Sequence, residues 1–237
     1  MLAYRIALAK TFASRGYDLI LAARNEEALA ALAQELEAAH SVRAKMMPAD
    51  LSVPGAAEAM VEALERAGVT VEILVNNAGV MFEGDFVGVA HESHLRLRQI
   101  NVVALTSLTH LFLPAMIRRG GGRILNVASM AAIMPIPRLA AYAAAKAYVL
   151  SLTESLSEEL QGTGVTATAL CPLWVDLTCS RRRGTMGWTA PRTASIVPSW
   201  SLSETHLKGS RPWASLSGIS PLSRGGRRRS CGKAASR

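Results

Sequence analysis

Short apolar runs alternate with longer stretches of helix-forming residues along the first 171 residues, and this alternation narrows the available folds more than any other feature. Residues 18–23 (DLILAA), 42–48, 72–76 (EILVN), 123–128 (RILNVA) and 164–171 (GVTATALC) read as strands. Several are apolar almost throughout, which suits strands covered on both faces rather than half-exposed ones. Residues 25–39, 54–67, 91–118 and 140–160 read as helices. Asn25 is placed to cap the first of these, acids occupy its first turn, and Gly120–Gly121–Gly122 stops the third. Upstream, residues 6–15 set Ile6, Leu8, Ala9, Phe12 and Ala13 at helical spacing. Strands and helices in this order predict βαβ units and an α/β, doubly wound parallel sheet. Such sheets bind ligands at the carboxyl ends of their strands. Asp50 follows the second strand, Asn76–Gly79 the third and Ser129 the fourth.

Composition changes abruptly after Cys171. Residues 1–171 carry a net charge of −2, whereas residues 172–237 carry +10 and hold all four tryptophans, Trp174, Trp188, Trp200 and Trp213. The shift predicts a domain over residues 1–172 and a basic, disordered tail over 173–237 that shows little sustained period of 2 or 3.6. Such a tail would bind polyanions nonspecifically, and out-of-frame translation of a GC-rich gene would give the same composition. Cys171, Cys179 and Cys231 have neither metal-ligand spacing nor a disulfide pattern. No uninterrupted apolar run of about 18 residues and no leader-like N-terminus is read, so the expectation is a cytoplasmic protein without a membrane span.

Tyr142 and Lys146 stand four apart in AAYAAAKAYV, on one face of a predicted helix and flanked mostly by alanine. A free tyrosine, with a pKa near 10, is a poor base at neutral pH, and a neighbouring ammonium lowers that value. A phenol so tuned can pass a proton to or from an oxygen. Taken alone, the pair also fits a chance arrangement on a solvated face. Ser129, at the end of the fourth strand, could donate a hydrogen bond to a carbonyl oxygen or satisfy local backbone. Asn101, in RQINVVAL, needs a partner if buried. His91, His94 and His110 show no ligand spacing; Arg118, Arg119 and Arg123 read as solvated, and Met46–Met47 as core filling.

In order and spacing, Asn76-Asn77-Ala78-Gly79, Asn101, Ser129 and Tyr142-x-x-x-Lys146 resemble the short-chain dehydrogenase/reductase family over roughly residues 5–172. The resemblance implies a Rossmann-like fold and an oxidoreductase that moves a hydride between a nicotinamide cofactor and a small carbonyl or alcohol substrate. It implies Tyr142 as general acid or base, and Lys146 as the group that lowers its pKa and holds the nicotinamide ribose. It implies Ser129 as the residue that orients the substrate oxygen and Asn101 as the anchor of a relay water. Asn77, Ala78 and Gly79 would lie against the cofactor, and Asp50 and Leu51 against its adenine. Arg24, where many dinucleotide folds carry an acid for a ribose 2′-hydroxyl, favours a 2′-phosphate and hence NADP, with NAD as the alternative. Members of the family commonly form homo-oligomers, and no specific nucleic acid or membrane partner is implied.

The chain departs from the family pattern twice. The family opens on a strand and a glycine-rich turn, whereas this sequence starts near the following helix, so a sheet truncated at its first, central strand is expected. After Cys171 the family continues Pro-Gly, and here Pro172 is followed by Leu173. These departures leave a second reading open: a non-catalytic remnant acting through its basic tail.

Overall fold

The computed structural model describes residues 2–172 and 213–217. The elements run α1 (Leu2–Ser14), β1 (Asp18–Ala23), α2 (Glu26–His40), β2 (Ala44–Pro48), α3 (Ala56–Arg66) and β3 (Val71–Asn76). Next come α4 (His91–Arg98), a π-helical turn (Gln99–Ala104) and α5 (Leu105–Arg118). The order ends with β4 (Gly122–Val127), α6 (Ala140–Glu159), β5 (Val165–Leu170) and β6 (Trp213–Ser217). The six strands form one parallel sheet in the order β2-β1-β6-β3-β4-β5. This is the doubly wound, Rossmann-like α/β architecture expected from the alternation.

Local rules account for the element ends. Asn25 caps α2 by accepting from the Ala28 backbone N–H at 2.7 Å, and Glu26 and Glu27 lie where the helix dipole favours acids. α2 closes at Ser41, whose left-handed φ of 54° lets its N–H reach the Glu37 carbonyl. All six residues of β1 are buried, as an apolar run in a two-sided sheet requires.

Neighbouring strand residues feed opposite layers. Leu19, Leu21, Ile73 and Val75 pack with Ala9, Ala13, Leu29, Leu32 and Leu36, beneath α1 and α2. Ile20, Ala22 and Leu74 pack with Met60, Leu64, Leu108, Phe112 and Met116, beneath α3 and α5. Asp18, fully buried at the start of β1, accepts from the Arg43 backbone N–H and from its guanidinium, each contact within 2.8 Å. The pair holds the loop before β2 against β1.

Two sequence expectations change. The stretch 91–118 is a continuous helical run that is long and apolar enough to cross a membrane by length and composition, contrary to the reading of no such segment. Scattered polar residues (Asn101, Thr106, Ser107, Thr109, His110) interrupt the apolar run in the sequence. Here Leu105, Leu108, Phe112 and Met116 are buried within the fold, as in a core helix. One short stretch of the expected tail is a strand, and it stands where the truncated sheet lacks its opening strand. Trp213–Ser217 forms β6, in the middle of the sheet between β1 and β3. A five-residue segment is too short to show a clear period, and its place depends on partners far away in sequence. Residues 173–212 and 218–237, with the rest of the expected tail and its charge, lie outside the described residues.

Candidate active site

The carboxyl ends of the strands gather the polar residues singled out above. Arg24 follows β1, Asp50 and Leu51 follow β2, Asn77–Gly79 follow β3, Ser129 follows β4 and Cys171 follows β5. Arg24, Asp50, Leu51, Ala78 and Gly79 line one cleft, floored by Ala22, Ala23 and Ala49 and closed by Val80 and Ile100. Asn77 is half-buried at its edge.

At the outer end of this cleft, Asp50 turns back on its own loop. One carboxylate oxygen accepts from the Ser52 backbone N–H at 2.9 Å and from the Ser52 hydroxyl at 2.7 Å. The other faces the Arg24 guanidinium at 3.9 Å. Burial pushes the Asp50 carboxyl up, but the Ser52 hydrogen bonds and the Arg24 and Arg96 charges together bring it below its ordinary value. Arg24 keeps a half-exposed guanidinium at the rim.

Gly79 joins the two ends of the site. A Cβ built there would stand 3.5 Å from Asn101 Oδ1 and 3.7 Å from Lys146 Nζ. Any larger side chain would fill the space in front of the lysine. Asn101 is fully buried in the π turn. Its Oδ1 accepts from the Val80 backbone N–H at 2.9 Å and its Nδ2 donates to the Val80 carbonyl at 3.0 Å. The side chain is thus a satisfied core amide that clamps the strand end of β3 to the helix. The wider π turn, a form often found at functional sites, presents Asn101 to that strand end.

Lys146 and Tyr142 lie on the inward face of α6, and both are buried. The lysine ammonium donates to the Val127 carbonyl at 2.6 Å and sits 5.8 Å from the Tyr142 ring centroid. Burying an ammonium is costly unless it is hydrogen-bonded, so the Val127 carbonyl at the end of β4 fixes its position. The Tyr142 ring packs with Leu97, Ala131, Leu139 and Ala145, against the short 3-10 turn that follows Ser129. Ser129 Oγ caps that turn by accepting from the Ala131 N–H at 3.1 Å, which leaves the hydroxyl proton available to donate.

Two features escaped the sequence reading. Cys171 reaches this end of the site, where the Ser129 backbone N–H hydrogen-bonds its sulfur. Burial raises the thiol above its ordinary value and the Glu154 charge adds to this, against smaller lowering effects of that hydrogen bond and of Lys146. A lone cysteine carried no spacing signal; its position directly after a strand was the available clue. The second feature is a buried polar chain under the site. Asn76 Nδ2 donates to Thr109 Oγ1 at 3.0 Å and to Asn126 Oδ1 at 2.9 Å, and Asn126 Nδ2 donates to Thr153 Oγ1 at 2.9 Å. It ties β3, β4, α5 and α6 together. The amide inside the apolar run RILNVA was the sequence signal for it.

A larger open depression, about 680 Å³, lies along Phe86–Arg98 and touches Ala141, but it includes none of the expected site residues. Among the described residues, no cluster of three or more His, Cys, Asp or Glu side chains could hold a metal ion.

Comparison with known proteins bears on this geometry. The family profile described as short chain dehydrogenase matches residues 6–185. An uncharacterised oxidoreductase of Bacillus subtilis, YvrD, is 32% identical over 180 residues, covering 75% of this chain and 67% of that protein. A short-chain dehydrogenase from Sphingobium yanoikuyae, solved in complex with NADPH, is 37% identical with a TM-score of 0.65, covering 68% of this chain and 63% of the other. A metagenomic short-chain oxidoreductase solved with NADP is 33% identical with a TM-score of 0.66, covering 70% of this chain and 76% of the other. The chain spans between about half and three quarters of the length of the curated relatives it matches. A chain that shares this profile over most of its length, this sheet, and this order of residues along its strand ends belongs to the short-chain dehydrogenase family of oxidoreductases.

Proposed function

We propose that the protein transfers a hydride between NADP(H) and a small carbonyl or alcohol substrate, with Tyr142 as the proton donor or acceptor. The observation that carries this reading is the buried Lys146 ammonium. It is anchored on the Val127 carbonyl, lies beside the Tyr142 ring and stands close to Gly79, at 3.7 Å from where a Cβ of that residue would be.

The residues present fit a dinucleotide. With no side chain, Gly79 lets the backbone after β3 lie close to Asn101 and Lys146, and the residues from Gly79 to Asp50 line one cleft at the strand ends, where a nucleotide would lie. Arg24 at the rim suits a 2′-phosphate, and two of the related structures hold NADPH or NADP. When bound in reduced form, the nicotinamide supplies the hydride to the carbonyl carbon.

The chain's own residues do the rest. Ser129 donates its hydroxyl proton in a hydrogen bond to the substrate oxygen and holds it toward Tyr142. As the carbonyl carbon gains the hydride, the Tyr142 hydroxyl gives its proton to that oxygen and an alcohol results. The Lys146 ammonium stabilises the phenolate left behind and fixes the nicotinamide ribose. Asn101 keeps the segment after Gly79 in place through Val80. In alcohol oxidation the same residues act in reverse.

Titration of the purified chain with NADPH, followed by nucleotide fluorescence, tests the reading. Saturable binding at micromolar concentrations, weakened by Gly79→Val, is expected. No binding at millimolar NADPH would refute it.

A further inference from the structure

The segment between β3 and α4 runs past Tyr142, and its path is set at separate points. Asn101 holds it at Val80 through the paired hydrogen bonds described above. At its far end His94 Nε2 lies 3.1 Å from the Phe86 carbonyl oxygen, and the two ring centroids are 4.7 Å apart. Between these points it meets Arg138, from the segment that joins β4 to α6. The Gly84 N–H donates to the Arg138 carbonyl at 3.0 Å. The Arg138 guanidinium reaches Glu83 at 3.6 Å through Nε and Asp85 at 3.3 Å through Nη1.

Arg138 makes these contacts from a backbone conformation that arginine rarely adopts. Its φ is 69°, in the left-handed region that disfavours side chains other than those of Asn and Asp. Such a conformation persists where surrounding contacts over-determine it, and it often stands beside a functional site. Leu139 follows, buried, and then α6 with Tyr142. The two segments that meet at the arginine supply apolar neighbours to the same cluster. Val80 and Phe82 from one, and Ile136 and Leu139 from the other, pack in the cluster that holds Tyr142.

We propose that Arg138 is a positioning residue. By tying Glu83 and Asp85 to the segment before α6, it fixes the two segments beside Tyr142 and sets how tightly the apolar part of a carbonyl substrate is held there. The contact stands on geometry; its effect on the reaction rests on the proposed function. Because the arginine acts through these segments and not on Tyr142, Ser129 or Lys146 themselves, KM should move and kcat should not. Exposed ion pairs are weak singly, so the effects are several-fold rather than orders of magnitude.

Variants of the full chain test this. Arg138→Asn removes the cation and suits the left-handed backbone, whereas Glu83→Gln with Asp85→Asn removes the carboxylates and leaves residue 138 alone. In hydrogen exchange read by mass spectrometry, each should speed exchange over residues 82–86 by about threefold or more, and combining them should add little. The activity arm uses saturating NADPH and whichever of acetone, cyclohexanone, benzaldehyde and acetophenone the parent reduces fastest. There KM should rise about fivefold, with kcat within about twofold and the melting temperature within about two degrees of the parent's. Unchanged exchange over 82–86 would overturn the proposal. So would an unmoved KM in a working reductase, including one whose kcat and melting temperature fall together, which marks a purely structural role. Faster exchange over 82–86 in a chain that reduces none of these carbonyls would uphold the contact and count against the proposed function.

Discussion

Lys146 donates at its tip to the Val127 carbonyl, and this contact helps to set where its charge lies relative to the Tyr142 ring. At this scale the site works by placing charges. Arg24 and Asp50 form the opposite pole, where the guanidinium is shared between a carboxylate 3.9 Å away and open solvent. Arg24→Ala should weaken NADPH binding by about tenfold, a loss of about 1.4 kcal/mol, and leave NADH binding nearly unchanged. Parallel titrations with the two nucleotides check this, and equal losses for both would argue against a 2′-phosphate contact. Asp50 has a pH signature with a definite sign. Its carboxyl lies below the ordinary value in the folded chain, so ionisation favours the fold. That contribution is complete above the ordinary carboxylate range and disappears as pH falls through the lowered folded value. Thermal melts should show Asp50→Asn less stable than the parent at neutral pH, with the gap closing in acid. A gap that widened in acid would reverse the assigned sign.

Elements hold these residues by buried polar links as well as by apolar packing. The chain Asn76–Asn126–Thr153 crosses two strands, passing through Asn126 one residue before the carbonyl that anchors Lys146, and reaches α6. Asn126→Ala should cost about 1–3 kcal/mol in denaturant unfolding, because Asn76 and Thr153 would each lose a buried partner. An unchanged midpoint would mean that water or relaxation replaces the amide. At the opposite end of the sheet, Gly164 has φ +78° and its missing Cβ would lie 2.1 Å from the Gly120 carbonyl oxygen. That approach joins the turn before β4 to the turn before β5. Gly164→Ala should therefore destabilise the fold by about 3 kcal/mol or more, through both a strained backbone and a backbone clash, and lower the melting temperature. A melt within a degree of the parent's would refute the close approach. Much of this layer was legible in the sequence. Continuous apolar runs marked strands covered on both sides, Asn25 marked the start of α2, and Tyr142 with Lys146 fell on the buried face of α6 as their spacing required. The π turn at Asn101 was not legible, because Gln99–Ala104 carries the same apolar residues as an ordinary helix. The Cys171 position and the Asn126 links depend on neighbours distant in sequence, so periodicity could not supply them.

Over the whole molecule, the sheet makes one site from loops at five strand ends, and it is continuous because β6 lies between β1 and β3. The alternation over residues 1–171 holds no sixth strand, and WASLS has too little periodicity to mark itself as one. The central claim is chemical: a buried ammonium beside a phenol makes Tyr142 the proton donor to a substrate oxygen next to NADPH. The most direct measurement is NADPH oxidation against a panel of small aldehydes and ketones, made on the parent chain and on Tyr142→Phe, with NADPH binding measured for both. The account predicts turnover in the parent, a fall of about 10²–10⁴-fold in Tyr142→Phe, and an NADPH affinity within about threefold of the parent. Turnover unchanged by Tyr142→Phe would contradict it.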